Sequence, residues 1–135
     1  LASEEAIAEN GWTPIAKVAA CADAAHEPEW FTTAPAKAVP KALAKAGWKT
    51  ADVYLWELNE AFSVVGLVNV KLLGLDAEKV NVNGGAVSLG HPLGSSGSRI
   101  VVTLIHALRN RNLKKGGAGI CNGGGGASAL MVELV

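Results

Sequence analysis

Three segments of this 135-residue chain carry side chains whose type and placement fit chemistry better than packing. The first is Asn59-Glu60-Ala61-Phe62, an amide and a carboxylate directly after an apolar run. Local rules alone account for both, with Asn59 as a helix N-cap and Glu60 as a first-turn acid favoured by the helix dipole. The second covers residues 84–97, Gly-Gly-Ala-Val-Ser-Leu-Gly-His-Pro-Leu-Gly-Ser-Ser-Gly. Pro92 keeps His91 out of the helical region, and the glycines allow backbone to approach closely. An imidazole fixed between Gly90 and Pro92, just ahead of a helix, is placed for proton transfer or hydrogen-bond donation. Glycines before a helix also suit phosphate, but the segment lacks the Lys-Ser/Thr ending of a P-loop and does not read Gly-x-Gly-x-x-Gly. The third segment, Cys121-Asn122-Gly123-Gly124-Gly125-Gly126, sets a thiol beside four glycines. Ordering four glycines costs entropy, and bare backbone there lets a substrate reach the thiol and accept N–H hydrogen bonds, as an oxyanion hole requires. A buried structural cysteine is the competing reading of Cys121.

The elements that must position these groups read as one domain of ordinary size. Residues 15–21, 53–58, 80–82, 118–121 and 127–135 have the short apolar pattern of strands. Helices are predicted from Pro35 to Gly47, from Glu60 to Leu73 and from about Ser95 through Arg109. The expectation is an α/β fold, a five-stranded mixed sheet with helices on both faces, its last two strands antiparallel because only Gly123 to Gly126 joins them. Residues 60–73 are apolar on nearly every side, so that helix is expected inside the molecule. Asn59, His91 and Cys121 each follow or end a predicted strand, and loops at strand ends are where such groups converge. Lys37, Lys41 and Lys45, four apart on one helix, read as a solvated face.

Composition removes several classes. Twelve basic and twelve acidic residues leave no net charge, so no basic field holds nucleic acid or an anionic membrane. No stretch approaches the roughly 18 apolar residues of a membrane-spanning helix. Cys21 and Cys121 stand far apart with no ligand-spaced partner, which excludes a disulfide scaffold and a zinc module and favours a reducing compartment. Twelve of the sixteen glycines lie between Gly84 and Gly126, so the special backbone coincides with the chemical segments.

In this order, Asn-Glu-Ala-Phe, the Gly-His-Pro-centred loop and Cys-Asn-Gly-Gly-Gly-Gly resemble the C-terminal domain of thiolases over essentially the whole chain. Residues 22–31, Ala-Asp-Ala-Ala-His-Glu-Pro-Glu-Trp-Phe, look most like the biosynthetic acetoacetyl-CoA thiolases. The resemblance implies one of two similar βαβαβαββ halves whose central helices pack together, and reversible condensation of two acetyl-CoA to acetoacetyl-CoA and free CoA. It implies that His91 activates a nucleophilic thiolate and, with a water held by Asn59, stabilises the thioester oxygen. Cys121 becomes the acid/base that deprotonates the acceptor acetyl group, and the Gly123 N–H a donor to the acyl-enzyme's tetrahedral intermediate. No cofactor is implied beyond coenzyme A thioesters as substrates, and a monovalent cation near residues 22–31 is left open.

The family's nucleophile is a cysteine of the N-terminal half, and Cys21 stands in no matching motif. With Leu1 in place of Met, this leads to the expectation that residues 1–135 are the last third of a longer chain, inactive alone, whose N-terminal thiolase domain is absent. The family is usually dimeric or tetrameric, so a homo-oligomer is expected. The expected compartment is cytoplasmic; a mitochondrial address would lie in the absent portion, and Glu133-Leu134-Val135 is no peroxisomal signal. Two alternatives stay open: a degradative 3-ketoacyl-CoA thiolase, and a non-catalytic dimerisation or binding module of the same fold.

Overall fold

The computed structural model describes all 135 residues. Ser3 opens the first helix, α1 (Glu4–Asn10), its hydroxyl accepting from the Ala6 N–H, and Gly11 closes it in the left-handed region. The strand β1 (Ala16–Ala25) follows. A 3-10 turn (Pro28–Thr33) then leads into α2 (Pro35–Ala46), which Gly47 ends at φ 69°. Next come β2 (Leu55–Leu58) and α3 (Ser63–Leu73). The last elements are the single helical turn α4 (Ala86–Leu89), α5 (Ser96–Asn110), β3 (Lys115–Cys121) and β4 (Gly126–Leu134).

One mixed sheet has the order β1-β4-β3-β2. β2 runs parallel to β3, and β4 is antiparallel to both β3 and β1. α2 lies on one face, where Ala38, Val39 and Ala42 meet Trp56 and Met131. α5 covers the other, with Ile100, Leu104 and Leu108 against Leu55 and Val132. Leu104 and Leu108 are fully buried, each stabilising by about 1.5–3 kcal/mol relative to exposure.

The sheet therefore has four strands where five were expected. Val80 makes only an isolated parallel bridge to Trp56. The next residue, Asn81, takes φ 50°, which ends any extended run. Its side chain substitutes for the missing strand: Oδ1 accepts from the Leu58 N–H at 2.9 Å, and Nδ2 donates to the Leu58 carbonyl at 2.9 Å. β1 also reaches further than expected, pairing as far as Ala25 with Gly126. At that junction Gly125, at φ 85°, lies where any Cβ would overlap the His26 carbonyl.

The lysine row is not simply solvated. Lys45 Nζ donates to the Cys21 carbonyl at 3.0 Å and Lys41 Nζ to the Asp23 carbonyl at 3.4 Å. β1 is an edge strand, and ammonium groups over its carbonyls discourage pairing with a further strand.

The helix expected inside the molecule is the other departure. Only Val65, Gly66 and Asn69 of α3 are buried, while Leu67 is 73% exposed and Val64 and Leu72 are also open. A helix apolar all round is ordinarily buried, and α3 is left half uncovered.

Candidate active site

Asn59 is not the helix cap expected from its position. α3 begins later, with Phe62 at the N-cap and no side-chain cap. The reason is that β2 continues for one residue: the Asn59 N–H donates to the Gly119 carbonyl at 2.9 Å. That extension frees the amide for tertiary contacts. Asn59 is fully buried; its Nδ2 lies 3.4 Å from His91 Nδ1, and its Oδ1 accepts from Arg99 Nη2 at 3.3 Å.

Glu60 likewise serves the loop and not a helix dipole. Its Oε1 accepts from Asn81 Nδ2 at 2.9 Å and its Oε2 from the Val87 N–H at 3.1 Å. The carboxylate sits against Gly85, where a Cβ would overlap it. The Asn-Glu pair and the glycine loop are thus one unit, in which Glu60 ties the start of the His91 loop to the exit of β2.

His91 is held from one side of its ring. Ser96 Oγ, at the first residue of α5, lies 2.6 Å from His91 Nδ1 and 3.1 Å from the Pro92 carbonyl. The Pro92 carbonyl also accepts the Ser95 and Ser96 N–H groups at 2.7 and 2.8 Å, so it does not depend on the hydroxyl. A hydroxyl can donate or accept. It fits either ring tautomer: accepting from Nδ1–H it leaves Nε2 a base, and donating to Nδ1 it leaves Nε2–H a donor, the Asn59 NH2 group hydrogen-bonding Nδ1 only in the second. Nδ1 makes all of the ring's hydrogen bonds, which keeps Nε2 for another partner.

Beneath Asn59 is a charged pair that sequence reasoning missed. Arg99 Nη1 lies 3.4 Å from Glu57 Oε2, with side-chain exposures of 18% and 2%. Burial pushes the Glu57 carboxyl up to about 7, against the lowering effect of Arg99 and with a further rise from Glu60. Glu57 Oε1 and Arg99 Nε are buried without partners. The signals for these residues were weak: one carboxylate inside the apolar run 53–58, and Ser96 and Arg99 three apart on one face of the first turn of α5.

Cys121 ends β3, two residues past Gly119 and so at the same end of the sheet as Asn59. Its thiol faces the α2 side, among residues that include Val39 and Val65, whereas His91 is held from α5. Burial pushes the thiol above its ordinary value, offset in part by a backbone hydrogen bond. No hydrogen bond joins it to Asn59 or His91, so this chain brings together two of the three groups expected in one pocket and leaves the third at the same end of the sheet, on the α2 side. Gly123 is exposed in the turn after β3. Asn122 Oδ1 accepts the N–H groups of Gly124 and Gly126, at 3.1 and 3.3 Å, and leaves that of Gly123 free.

Two carbonyls of residues 22–31 already have partners within the chain. The Asp23 carbonyl faces the Lys41 ammonium, and that of Trp30 is engaged by His26 and Thr33. No group of three His, Cys, Asp or Glu side chains is arranged to hold a metal ion.

Comparison with known proteins agrees with the motifs. The family model described as thiolase, C-terminal domain, matches residues 12–134. Acetyl-CoA acetyltransferase 2 of Arabidopsis thaliana is 59% identical over 135 residues, all of this chain and 34% of that protein. A probable acetyl-CoA acetyltransferase of Dictyostelium discoideum is 59% identical over 133 residues, 98% of this chain and 32% of that protein. Among solved structures, the Bacillus anthracis acetyl-CoA acetyltransferase superposes with TM-score 0.95 at 46% identity, over 98% of this chain and 34% of that one. Human mitochondrial 3-ketoacyl-CoA thiolase gives TM-score 0.96 at 41% identity, over 99% and 34%. The chain spans about a third of the length of the relatives it matches. It belongs to the thiolase family, as a C-terminal domain of that fold.

Proposed function

We propose that this domain supplies the imidazole, the amide and the acid/base thiol of an acetyl-CoA acetyltransferase, whose nucleophilic cysteine lies in an N-terminal portion outside this chain. The observation that carries the reading is the Asn59–His91–Ser96 contact, which leaves His91 Nε2 for a reacting partner. In this reading His91 takes the proton of the nucleophilic thiol, and the thiolate attacks the carbonyl carbon of acetyl-CoA. The tetrahedral oxyanion is stabilised by hydrogen-bond donors, among them the Gly123 N–H. Collapse of that intermediate expels CoA thiolate, which takes a proton from the imidazolium. Cys121, entering this step as its thiolate, then removes a proton from the methyl group of a second acetyl-CoA, and the resulting carbanion attacks the acyl-enzyme. With the neutral ring exchanged to the tautomer in which Ser96 donates to Nδ1 and Nε2 carries the proton, His91 Nε2–H and a water held by Asn59 stabilise the enolate oxygen; acetoacetyl-CoA forms, and the cysteine leaves as a thiolate that takes up the proton held by Cys121. Burial raises the Cys121 pKa, which makes its thiolate a stronger base toward a weak carbon acid.

The half-exposed α3 fits a partner as well. The N-terminal thiolase domain, in this reading, packs its own central helix on Val64, Leu67 and Leu72. The whole enzyme is a cytoplasmic homo-oligomer acting on acetyl-CoA and acetoacetyl-CoA. Identities of 46% to a solved acetyl-CoA acetyltransferase against 41% to a 3-ketoacyl-CoA thiolase lean toward the short-chain reaction.

The test uses the domain joined to its N-terminal portion. That protein should cleave acetoacetyl-CoA with CoA and prefer it to long-chain 3-ketoacyl-CoA, and His91→Ala should lower acyl-enzyme formation by orders of magnitude. Near-normal acylation of His91→Ala would remove His91 from the chemistry. The 135-residue chain alone should show no turnover, and activity of pure isolated chain would refute the division of labour.

A further inference from the structure

We infer that Arg99 is a positioning residue that decides which way the Asn59 amide faces. The inference rests on the functional reading above, since it matters only if the Asn59 NH2 group is used.

The two ends of an amide are nearly identical in shape and opposite in hydrogen bonding, so a buried amide needs a neighbour to select its orientation. His91 cannot do so. Its Nδ1 is an acceptor in one tautomer and a donor in the other, and would follow whichever end the amide presented. Arg99 is a donor in every state. Its Nη2, 3.3 Å from Oδ1, can donate only to the oxygen end, which turns Nδ2 toward the His91 side. Glu57 holds the guanidinium through Nη1, and Ser96, three residues earlier on α5, holds His91. One turn of helix therefore sets both members of the pair, Ser96 the ring and Arg99 the amide. A flipped amide would turn its oxygen toward the His91 side and withdraw the NH2 group that, in the functional reading, holds the water beside the enolate oxygen.

The experiment is a double-mutant cycle in the protein carrying both domains. Glu57→Gln with Arg99→Gln removes the two charges together, so neither is left buried alone. Asn59→Ala removes the amide. Losing one oxyanion donor costs about 10²–10³ in kcat, so Asn59→Ala sets the ceiling and the paired variant should lose about tenfold within it. KM for acetoacetyl-CoA should stay within about twofold. The triple variant should match Asn59→Ala alone, because Arg99 has nothing left to orient. A purely structural role for Arg99 would instead multiply the two losses, and that result overturns the inference. So does wild-type kcat in the paired variant while Asn59→Ala is impaired. If Asn59→Ala itself is fully active, the functional reading falls and the inference with it. Arg99→Lys keeps a cation beside Glu57 but replaces the guanidinium fork. It carries the same cycle if the paired variant does not fold: a triple-type match to Asn59→Ala supports the positioning role, and multiplied losses overturn it.

Discussion

Replacing Asn81 tests whether a side chain serves as the fifth strand of the sheet. In the native fold its amide makes three hydrogen bonds of 2.9 Å, two to the Leu58 backbone and one to Glu60. Leu58 is 1% exposed. Asn81→Ala leaves a buried N–H and a buried C=O without partners, at about 1–3 kcal/mol each. Alanine at φ 50° adds roughly 1 kcal/mol of left-handed strain that Asn tolerates better. Allowing for partial relaxation, the loss should be about 3–5 kcal/mol in urea unfolding followed by circular dichroism, a large share of the stability of one domain. Asn81→Gly separates the two contributions. Glycine accepts the dihedral angle without strain, so it should still lose about 2–4 kcal/mol if the hydrogen bonds matter. Asn81→Asp keeps the acceptor for the Leu58 N–H but sets a carboxylate oxygen against the Leu58 carbonyl and Glu60, so it should be no more stable than alanine. A glycine variant as stable as wild type would show that Asn81 is there for its backbone angle alone, and the side-chain ladder would be refuted.

The remaining predictions concern titration and reactivity. Glu57 is raised from 4.5 to about 7, so the native state binds the extra proton. Its contribution is fully present below about pH 4.5 and is lost as pH rises to about 7, a change of about 3 kcal/mol at 1.36 per unit. Melting temperature should therefore fall between pH 5 and 7.5, and Glu57→Gln should flatten that slope; an unchanged slope would assign the titration elsewhere. Cys21 is exposed and Cys121 buried with a raised thiol. Iodoacetamide at pH 7.5 should label Cys21 the faster, since burial both shields the Cys121 sulfur and lowers its thiolate fraction. Equal rates by peptide mass spectrometry would contradict the burial of Cys121.

Sequence and structure part company where a residue's partner is distant in the chain or outside it. The sheet's antiparallel pair was legible because only a glycine turn separates β3 from β4, and α5 because its apolar stripe has one period. Residues 80–82 have strand composition, and nothing local says that Asn81 leaves the extended region after one bridge and pairs through its amide. Asn59 and Glu60 satisfy capping rules so well that their local pattern points nowhere else. What overrode the cap was the register of β2 on β3, a long-range fact, which carried Asn59 past the strand end and into contact with His91. Arg99 and Glu57 were hidden for the opposite reason: a lone charge in an amphipathic helix and another in a strand each look like exposed residues until the fold pairs them.

The exposure of α3 bears more directly on function. Its apolar residues on every side called for burial, and the chain satisfies that demand only at Val65, Gly66 and Asn69. Asn69 Nδ2 donates to the Thr32 and Val65 carbonyls, and its Oδ1 accepts from the Ala36 N–H. One face of the helix is thus anchored by specific polar contacts, while Leu67, Leu72 and Val64 face outward. The loop that carries His91 is similar, with Val87, Leu89 and Leu93 all exposed around it. Apolar groups around the imidazole and along α3 would be a liability on a finished surface. They are intelligible if both are faces of a larger enzyme: one covered by a second helix, the other closed over a thioester so that the donors around His91 act in a site from which water is excluded. Exclusion of water is what makes such donors strong, and this chain cannot provide it with His91 half-exposed. On the proposed function, the same exposure that makes α3 look unfinished predicts that the chemistry requires the rest of the protein.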